Sequence, residues 1–291
     1  MKNDLRVEPK SWLIGLIGDG IGASMSPAMH EEEARRMGVS YVYRRIDMAE
    51  LGRGAADLPA TVKALEAAGY DGFNVTYPYK QAIIAQLDEL SEDAKALGAV
   101  NTVVLRGGRR IGHNTDWSGF YRAFRDGMPG DVAMARVALI GAGGAGCAVG
   151  HAAMKLGAQE LRVFDVDAAK ANHLAQDLAG RFPQARVLAV TSIAQALDAA
   201  DGVIHATPTG MTKLPGMPIP AALLRASMWV ADVVYFPLET ELIRTARSLG
   251  CRTLNGGGMA VFQAVDAYQI FTRMAPDPDR MLSHFRSLLS S

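Results

Sequence analysis

The sequence predicts an α/β protein in two parts, a mixed sheet followed by a doubly wound parallel sheet, and three observations carry that prediction. Short apolar runs alternate with helical periodicity along most of the chain. Two strand-like runs flank Gly107-Gly108, a two-residue hairpin signal, so the first sheet should hold an antiparallel pair. Beyond Asp116, strand and helix alternate strictly, as in a parallel sheet covered on both faces. A length of 291 residues also exceeds one ordinary core, so two domains are expected.

Taken in order, "WLIGLIG" reads as a strand, Pro27 to Met37 as a helix, "YVYRRID" as a strand, Leu58 to Ala68 as a helix and "GFNVT" as a strand. Two helical segments should cover Tyr79 to Leu97, with Pro78 starting the helix that carries Lys80. The hairpin "VNTVVLR" and "RRIGHN" follows. Next come "RVALI", a glycine loop with its helix, "LRVFD", a helix, "ARVLAV", a helix, "GVIHAT", "WVADVVY", a helix and "RTLN". The helix Ala169 to Ala179 sets Ala171, Leu174, Ala175 and Leu178 on one stripe, which should face the sheet. Gly257 to Arg273 is helical, Pro276 and Pro278 bracket a turn, and a last helix runs from about Met281 to Leu289.

Thirty Lys+Arg balance thirty Asp+Glu, so net charge favours neither nucleic acid nor an anionic membrane, and small molecules become the expected partners. The longest apolar stretch, Val137 to about Met154, is broken by five glycines and His151 and makes a poor membrane span. The opening "MKNDLRVEPK" has no apolar signal core, so a cytoplasmic protein is expected. Two cysteines without CxxC spacing and six scattered histidines give no metal-ligand pattern, so none is expected.

The run "RVALI" leads into Gly141-Ala142-Gly143-Gly144-Ala145-Gly146, a GxGxxG that opens a helix. Such a match alone is weak. Here a strand precedes it, a helix follows, and Asp165 ends the next strand 24 residues after Gly141, which together meet the conditions of a dinucleotide-binding (Rossmann) fold. A carboxylate there can accept hydrogen bonds from the adenosine ribose hydroxyls and would repel a 2′-phosphate. The only nearby cation is Lys170, beside Asp167. NAD is therefore favoured over NADP. The plainer reading of Asp165 is a cap on the following helix.

Upstream, polar residues gather where strands end. Ser26 reads as the N-cap of a helix whose first residue is Pro27, and Ser24 with Ser26 at that helix start could also receive a small carboxylate. Asn74, Thr76 and Lys80 come from "NVTYPYK", Asn101 from "AVNT", and Thr115 with Asp116 from "NTDWSGF", where Asp116 could be only a helix cap. Each alone reads as structural. Their joint placement at strand ends points to a ligand site.

"SMSPAMH", "NVTYPYK", "GAVNT", "NTDWSGF", "GAGGAG", "ATPTGM" and "MAVFQA" occur in the order and spacing of the shikimate dehydrogenase family, which the chain resembles over nearly its whole length. "GLIGDGIGASMSPAMHEEE", "FDVD" and "DVVYFPLETEL" look most like the NAD-using quinate/shikimate dehydrogenase branch. The resemblance implies a substrate domain of residues 1–116 plus 256–291 and a Rossmann domain of 117–255. It implies Lys80 and Asp116 as the catalytic pair, and Ser24 and Ser26 as the grip on a substrate carboxylate. Thr76, Asn101 and Gln263 would bond ring hydroxyls, with Tyr235 nearby and Asn74 and Thr115 beside them. Thr207, Pro208, Thr209, Gly210, Met211, Val233 and Gly256 or Gly258 would line the nicotinamide side, with Lys170 near the adenosine. The reaction implied is reversible oxidation of a ring hydroxyl to a ketone with hydride passing to the nicotinamide, which needs a base within reach of the hydroxyl proton. Lys80 and Asp116 would act as one coupled acid–base unit.

Ser26 is the residue of ordinary shikimate dehydrogenases, where the NAD branch often has Thr or Gly, so quinate and shikimate both stay open. An aminoshikimate-type ring acid, or a catalytically silent NAD-binding sensor, are the alternatives. Methylene-tetrahydrofolate dehydrogenases share the layout but lack the SxSP pair. A homodimer is left open.

Overall fold

The computed structural model describes residues 11–290. The chain forms two compact units, Met1–Asn114 with Ala264–Ser291, and Thr115–Gln263. The first holds β1 (Trp12–Gly18), α1 (Ser26–Met37), β2 (Tyr41–Asp47), α2 (Leu58–Ala67), β3 (Gly72–Val75), β4 (Glu89–Leu90), α3 (Glu92–Leu97), β5 (Thr102–Arg106) and β6 (Arg109–His113). The second holds α4 (Asp116–Gly127), β7 (Arg136–Ile140), α5 (Gly144–Lys155), β8 (Glu160–Phe164), α6 (Ala168–Arg181), β9 (Arg186–Ala189), α7 (Ile193–Leu197), β10 (Gly202–His205), β11 (Trp229–Asp232), α8 (Glu241–Ser248) and β12 (Arg252–Leu254). The chain then runs through α9 (Gly257–Thr272), which begins in the second unit and ends in the first, to α10 (Pro278–Ser290). Among the described residues no helix is long and apolar enough to cross a membrane.

The first sheet has the order β2-β1-β3-β5-β6-β4. It is mixed, as expected: β1 runs parallel to β2 and β3, whereas β5 is antiparallel to both β3 and β6. Gly107 and Gly108 close the β5–β6 hairpin with φ of 61° and 73°, the positive values that a two-residue turn of this hand demands. Alternate residues of β1 serve opposite faces. Ile17 packs with Leu58, Val62 and Phe73, while Ile14 and Leu16 pack with Tyr268 and Phe271, brought back by α9. Each such buried side chain contributes about 1.5–3 kcal/mol.

Two expectations for residues 78–97 need correction. Pro78 starts no helix: the Tyr77–Pro78 peptide bond is cis and residues 77–81 form turns, so Lys80 sits on a turn. Helical structure resumes only as a 3-10 turn at Ala82–Gln86, and Glu89–Leu90 then pair in parallel with Ile111 and Gly112 of β6. That pairing is long-range, so local periodicity does not register it.

The second sheet is wholly parallel, in the order β12-β11-β10-β7-β8-β9. The order in which strands are added reverses between β7 and β10, the switch point where such sheets bind ligands. Along β7, Val137 and Leu139 pack on one face, Ala138 and Ile140 on the other. The expected stripe of Ala171, Leu174, Ala175 and Leu178 is the buried face of α6.

In the first unit His30 is 1% exposed, packed among the rings of Tyr41, Tyr43, Tyr268 and Phe271, with Nδ1 2.9 Å from the Tyr41 hydroxyl. Burial pushes its pKa down to about 3. The unfolded chain takes up this proton before the folded one does. The resulting stability is therefore complete above the unfolded value of 6.5 and is lost, at about 1.4 kcal/mol per pH unit, as pH falls toward 3. Unfolding free energy measured between pH 7 and pH 4 should fall more steeply in the wild type than in His30→Leu. Parallel curves would remove His30 from the acid response.

Candidate active site

In the first unit the candidate residues lie at the carboxyl ends of β1 and β3 and on the segment entering β5. The loop after β1 is held by Asp47 at the end of β2, whose carboxylate accepts the N–H groups of Gly20 (3.0 Å) and Ile21 (2.8 Å). This delivers Ser24 and Ser26, both half-buried, to the start of α1. Ser26 is the first helical residue and its hydroxyl caps nothing, contrary to expectation; its N–H instead lies 3.4 Å from the Ser24 hydroxyl oxygen. The capping position falls one residue earlier, at Met25, whose φ/ψ is already helical.

Thr76 follows β3, with its N–H donating to Ile17 O at 2.9 Å, and its methyl lies where a Cβ on Gly18 would stand. The half-buried Lys80 is anchored by its backbone: its carbonyl accepts the Val100 N–H at 2.8 Å, one residue before Asn101. Asn101 is 3% exposed. Its carbonyl accepts the N–H of Val75 and the amide of Asn74, and its side-chain oxygen accepts the Thr102 hydroxyl at 3.0 Å.

Asn74 was expected to meet a ligand, and the structure gives it another task. Its oxygen accepts the Tyr43 hydroxyl at 2.7 Å, and its NH2 donates to Asn101 O (3.0 Å) and to the Thr102 hydroxyl (2.9 Å). Both amide hydrogens are thereby used. A buried chain Tyr43–Asn74–Thr102–Asn101 braces Asn101. Tyr43 and Thr102 were not picked out from sequence, since single polar residues in strands give no periodic signal.

In the second unit β7 runs into Gly141, with φ of +104°, and Gly143 precedes the first turn of α5. A Cβ on Gly146 would stand 2.0 Å from Gly141 O, so that glycine is required by the chain's own backbone. At Gly143 and Gly144 a Cβ would meet nothing within 4 Å. The protein itself does not ask for glycine there, which leaves room at a helix N-terminus for a phosphate-bearing ligand. These positions fit a dinucleotide.

Asp165 does not cap α6; Asp167 does, accepting the N–H groups of Ala169 and Lys170. Asp165 instead ties the glycine loop, accepting the Ala142 N–H at 2.7 Å on one oxygen and the Asp167 N–H at 2.9 Å on the other. Val166 beside it is 96% exposed, and the exposed Lys170 lies 3.8 Å from Asp167. Thr115 and Asp116 are buried at the start of α4, where Asp116 is the first helical residue rather than its cap. Gln263, half-buried on α9, donates to Ala260 O, and Tyr235 is 41% exposed.

The family model for the shikimate dehydrogenase substrate-binding domain matches residues 16–103, and that for the C-terminal domain of alanine dehydrogenase/PNT matches 124–228. A shikimate dehydrogenase (NADP(+)) of Streptomyces avermitilis is 52% identical over 280 residues, 96% of each chain. The chain belongs to the shikimate dehydrogenase family. Another member, the quinate/shikimate dehydrogenase (NAD(+)) of Corynebacterium efficiens, is 46% identical over 96% of this chain and 99% of its own. Among solved structures, the quinate dehydrogenase from Corynebacterium glutamicum in complex with NAD superposes with a TM-score of 0.90 at 46% identity, over 95% of this chain and 99% of that one. Family members thus divide over cofactor, and the resemblance to the NAD branch alone does not separate them.

Within the family frame, two glycines of "NGGGMAVFQA" acquire separate structural reasons. A Cβ on Gly256 would stand 2.4 Å from Val233 O, and one on Gly258 would stand 2.9 Å from Ala123 Cβ of α4. Both are tight packing positions, which sequence could not distinguish from cofactor contacts.

Proposed function

We propose that this chain catalyses the NAD-linked, reversible oxidation of a ring hydroxyl of shikimate or quinate to the 3-dehydro ketone. The observation that carries the cofactor half is the Asp165 carboxylate, bound to the glycine loop and flanked by Val166 and Asp167 rather than by arginine. A 2′-phosphate brought beside it would meet a second negative charge, whereas ribose hydroxyls would find an acceptor. The substrate half is supported by family members named for these two ring acids and by the braced Asn101.

Bound nicotinamide supplies the hydride acceptor. Ser24 and Ser26 hold the ring carboxylate at the start of α1, where the helix N-terminus favours negative charge. Thr76, Asn101 and Gln263 orient the ring hydroxyls, with Tyr235 and Thr115 at the margin. Lys80 receives the hydroxyl proton as hydride leaves, with Asp116 as the second member of the acid–base pair.

Steady-state kinetics with quinate and shikimate, each with NAD and NADP, test this reading. NAD should give a kcat/KM at least about tenfold above NADP, and Asp165→Ser should bring the two within about threefold, the loss of one charge-assisted contact. A wild type that prefers NADP defeats the cofactor assignment, and one that turns over neither acid defeats the activity.

A further inference from the structure

β10 and β11 both end in a buried polar residue. His205 and Asp232 are register partners on adjacent parallel strands, and their side chains are fully buried. His205 Nδ1 lies 2.8 Å from Asp232 Oδ1, and Nε2 lies 2.5 Å from the Thr207 hydroxyl. Asp232 also accepts the Val234 N–H at 3.0 Å and the Thr240 hydroxyl at 2.7 Å. The Val234 N–H and the Thr240 hydroxyl already donate to that carboxylate, and a carboxylate oxygen facing Nδ1 assigns the imidazole hydrogen to Nδ1. Nε2 then accepts the Thr207 hydroxyl hydrogen, while the Thr207 oxygen accepts the Thr209 N–H at 3.3 Å.

The Thr207 side chain is thereby fixed in one orientation, and its methyl faces the glycine loop: it is among the three nearest atoms, at 2.9 Å, to a Cβ built on Gly141. Ala206 lies against the same glycine, its carbonyl 2.6 Å from that position. On the far side of the couple, the Asp232 bond to Val234 N–H holds the segment leaving β11, whose Val233 and Val234 carbonyls lie where a Cβ on Gly256 would stand. One buried pair thus ties together the 207–209 loop, the segment leaving β11 and the first residue of the GxGxxG loop, all within the second unit.

We propose that His205 and Asp232 are positioning residues for the dinucleotide site, holding Thr207 as a fixed wall against Gly141. The inference rests on the NAD reading above. An apolar residue would fill the same space without orienting Thr207. The couple acts on the cofactor through the shape of the loop and touches no reacting atom.

Two substitutions remove the same bond from opposite ends. His205→Asn keeps a donor for Asp232 near the place of Nδ1 but does not reach Thr207, and Thr207→Val keeps the methyl against Gly141 but deletes the hydroxyl. Circular dichroism first identifies the folded variants, and if His205→Asn does not fold, Thr207→Val, which keeps the methyl and deletes only the hydroxyl, carries the test. NAD and NADP are titrated onto each folded protein by calorimetry, and the KM for the ring acid is measured alongside. Each single variant should weaken NAD binding by roughly five- to twentyfold, with the ring-acid KM within about twofold of wild type. The double variant should be no weaker than the worse single, because both lose one shared contact. NAD affinity unchanged in the folded variants, losses that multiply in the double, or a ring-acid KM that rises as much as the NAD dissociation constant would each overturn the proposal. A wild type that binds neither dinucleotide defeats the earlier reading instead, before any variant is compared.

Discussion

Replacing Lys80 with alanine should lower kcat by roughly 10²–10⁴ while the KM for the ring acid changes by less than about threefold, the signature of a lost acid–base group. The size of the effect follows from the chemistry: hydride cannot leave a hydroxyl-bearing carbon cheaply unless the hydroxyl proton is taken in step. Lys80 is half-buried on a turn, and its backbone carbonyl accepts the Val100 N–H, a bond that alanine preserves. Asn101, next in the chain, keeps its own brace through Thr102. Stability should therefore change by less than about 1 kcal/mol. Steady-state kinetics with a parallel thermal melt check both halves, and a near-wild-type kcat would remove Lys80 from the chemistry.

The second large effect concerns two glycines three residues apart in the same loop. In Gly146→Ala the new methyl would stand 2.0 Å from Gly141 O and 2.8 Å from Gly141 C, both backbone atoms that cannot swing aside. The loop or the start of α5 must shift, at about 1–3 kcal/mol or more, and NAD binding should fall at least thirtyfold together with the melting temperature. Gly143→Ala supplies the contrast. Its φ is −78°, which alanine adopts freely, and its Cβ meets nothing within 4 Å. The unliganded protein should melt within about 2 °C of wild type, since surface changes without lost contacts cost little. NAD affinity should nonetheless drop by about tenfold or more, because the space taken is where the phosphates approach the helix N-terminus. Unaltered NAD affinity in Gly143→Ala would show that the loop is not the phosphate seat.

These expectations separate two kinds of information. Elements with strong periodicity were legible: "RVALI" into the glycine loop, the α6 stripe and the Gly107-Gly108 hairpin all stand where the sequence put them. Segment 78–97 was not, because β4 is two residues held by β6 and a cis peptide bond before Pro78 leaves no local trace. The candidate list was legible through its motifs, but the tasks within it were not. Asn74 read like Thr76 and Lys80 from "NVTYPYK", and only its three hydrogen bonds to Tyr43, Asn101 and Thr102 reveal a brace. His205 could have been noticed, since a histidine closing an apolar parallel strand must find a partner. Its partner was 27 residues away.

By itself the sequence determined the order of strands and helices outside residues 78–97, the glycine loop with Asp165, and the family, because each is written in spacing along the chain. Tertiary structure alone decided which polar groups spend their hydrogen bonds inside the protein. Asp165, read as a ribose acceptor with a helix cap as the plainer alternative, also ties Ala142, Ser26 is the first residue of α1 rather than its cap, and Gly256 is a packing position against Val233. The physical reason is common to all three: a donor, an acceptor or a missing Cβ acquires its role from the atom opposite it, and that atom comes from a distant part of the chain.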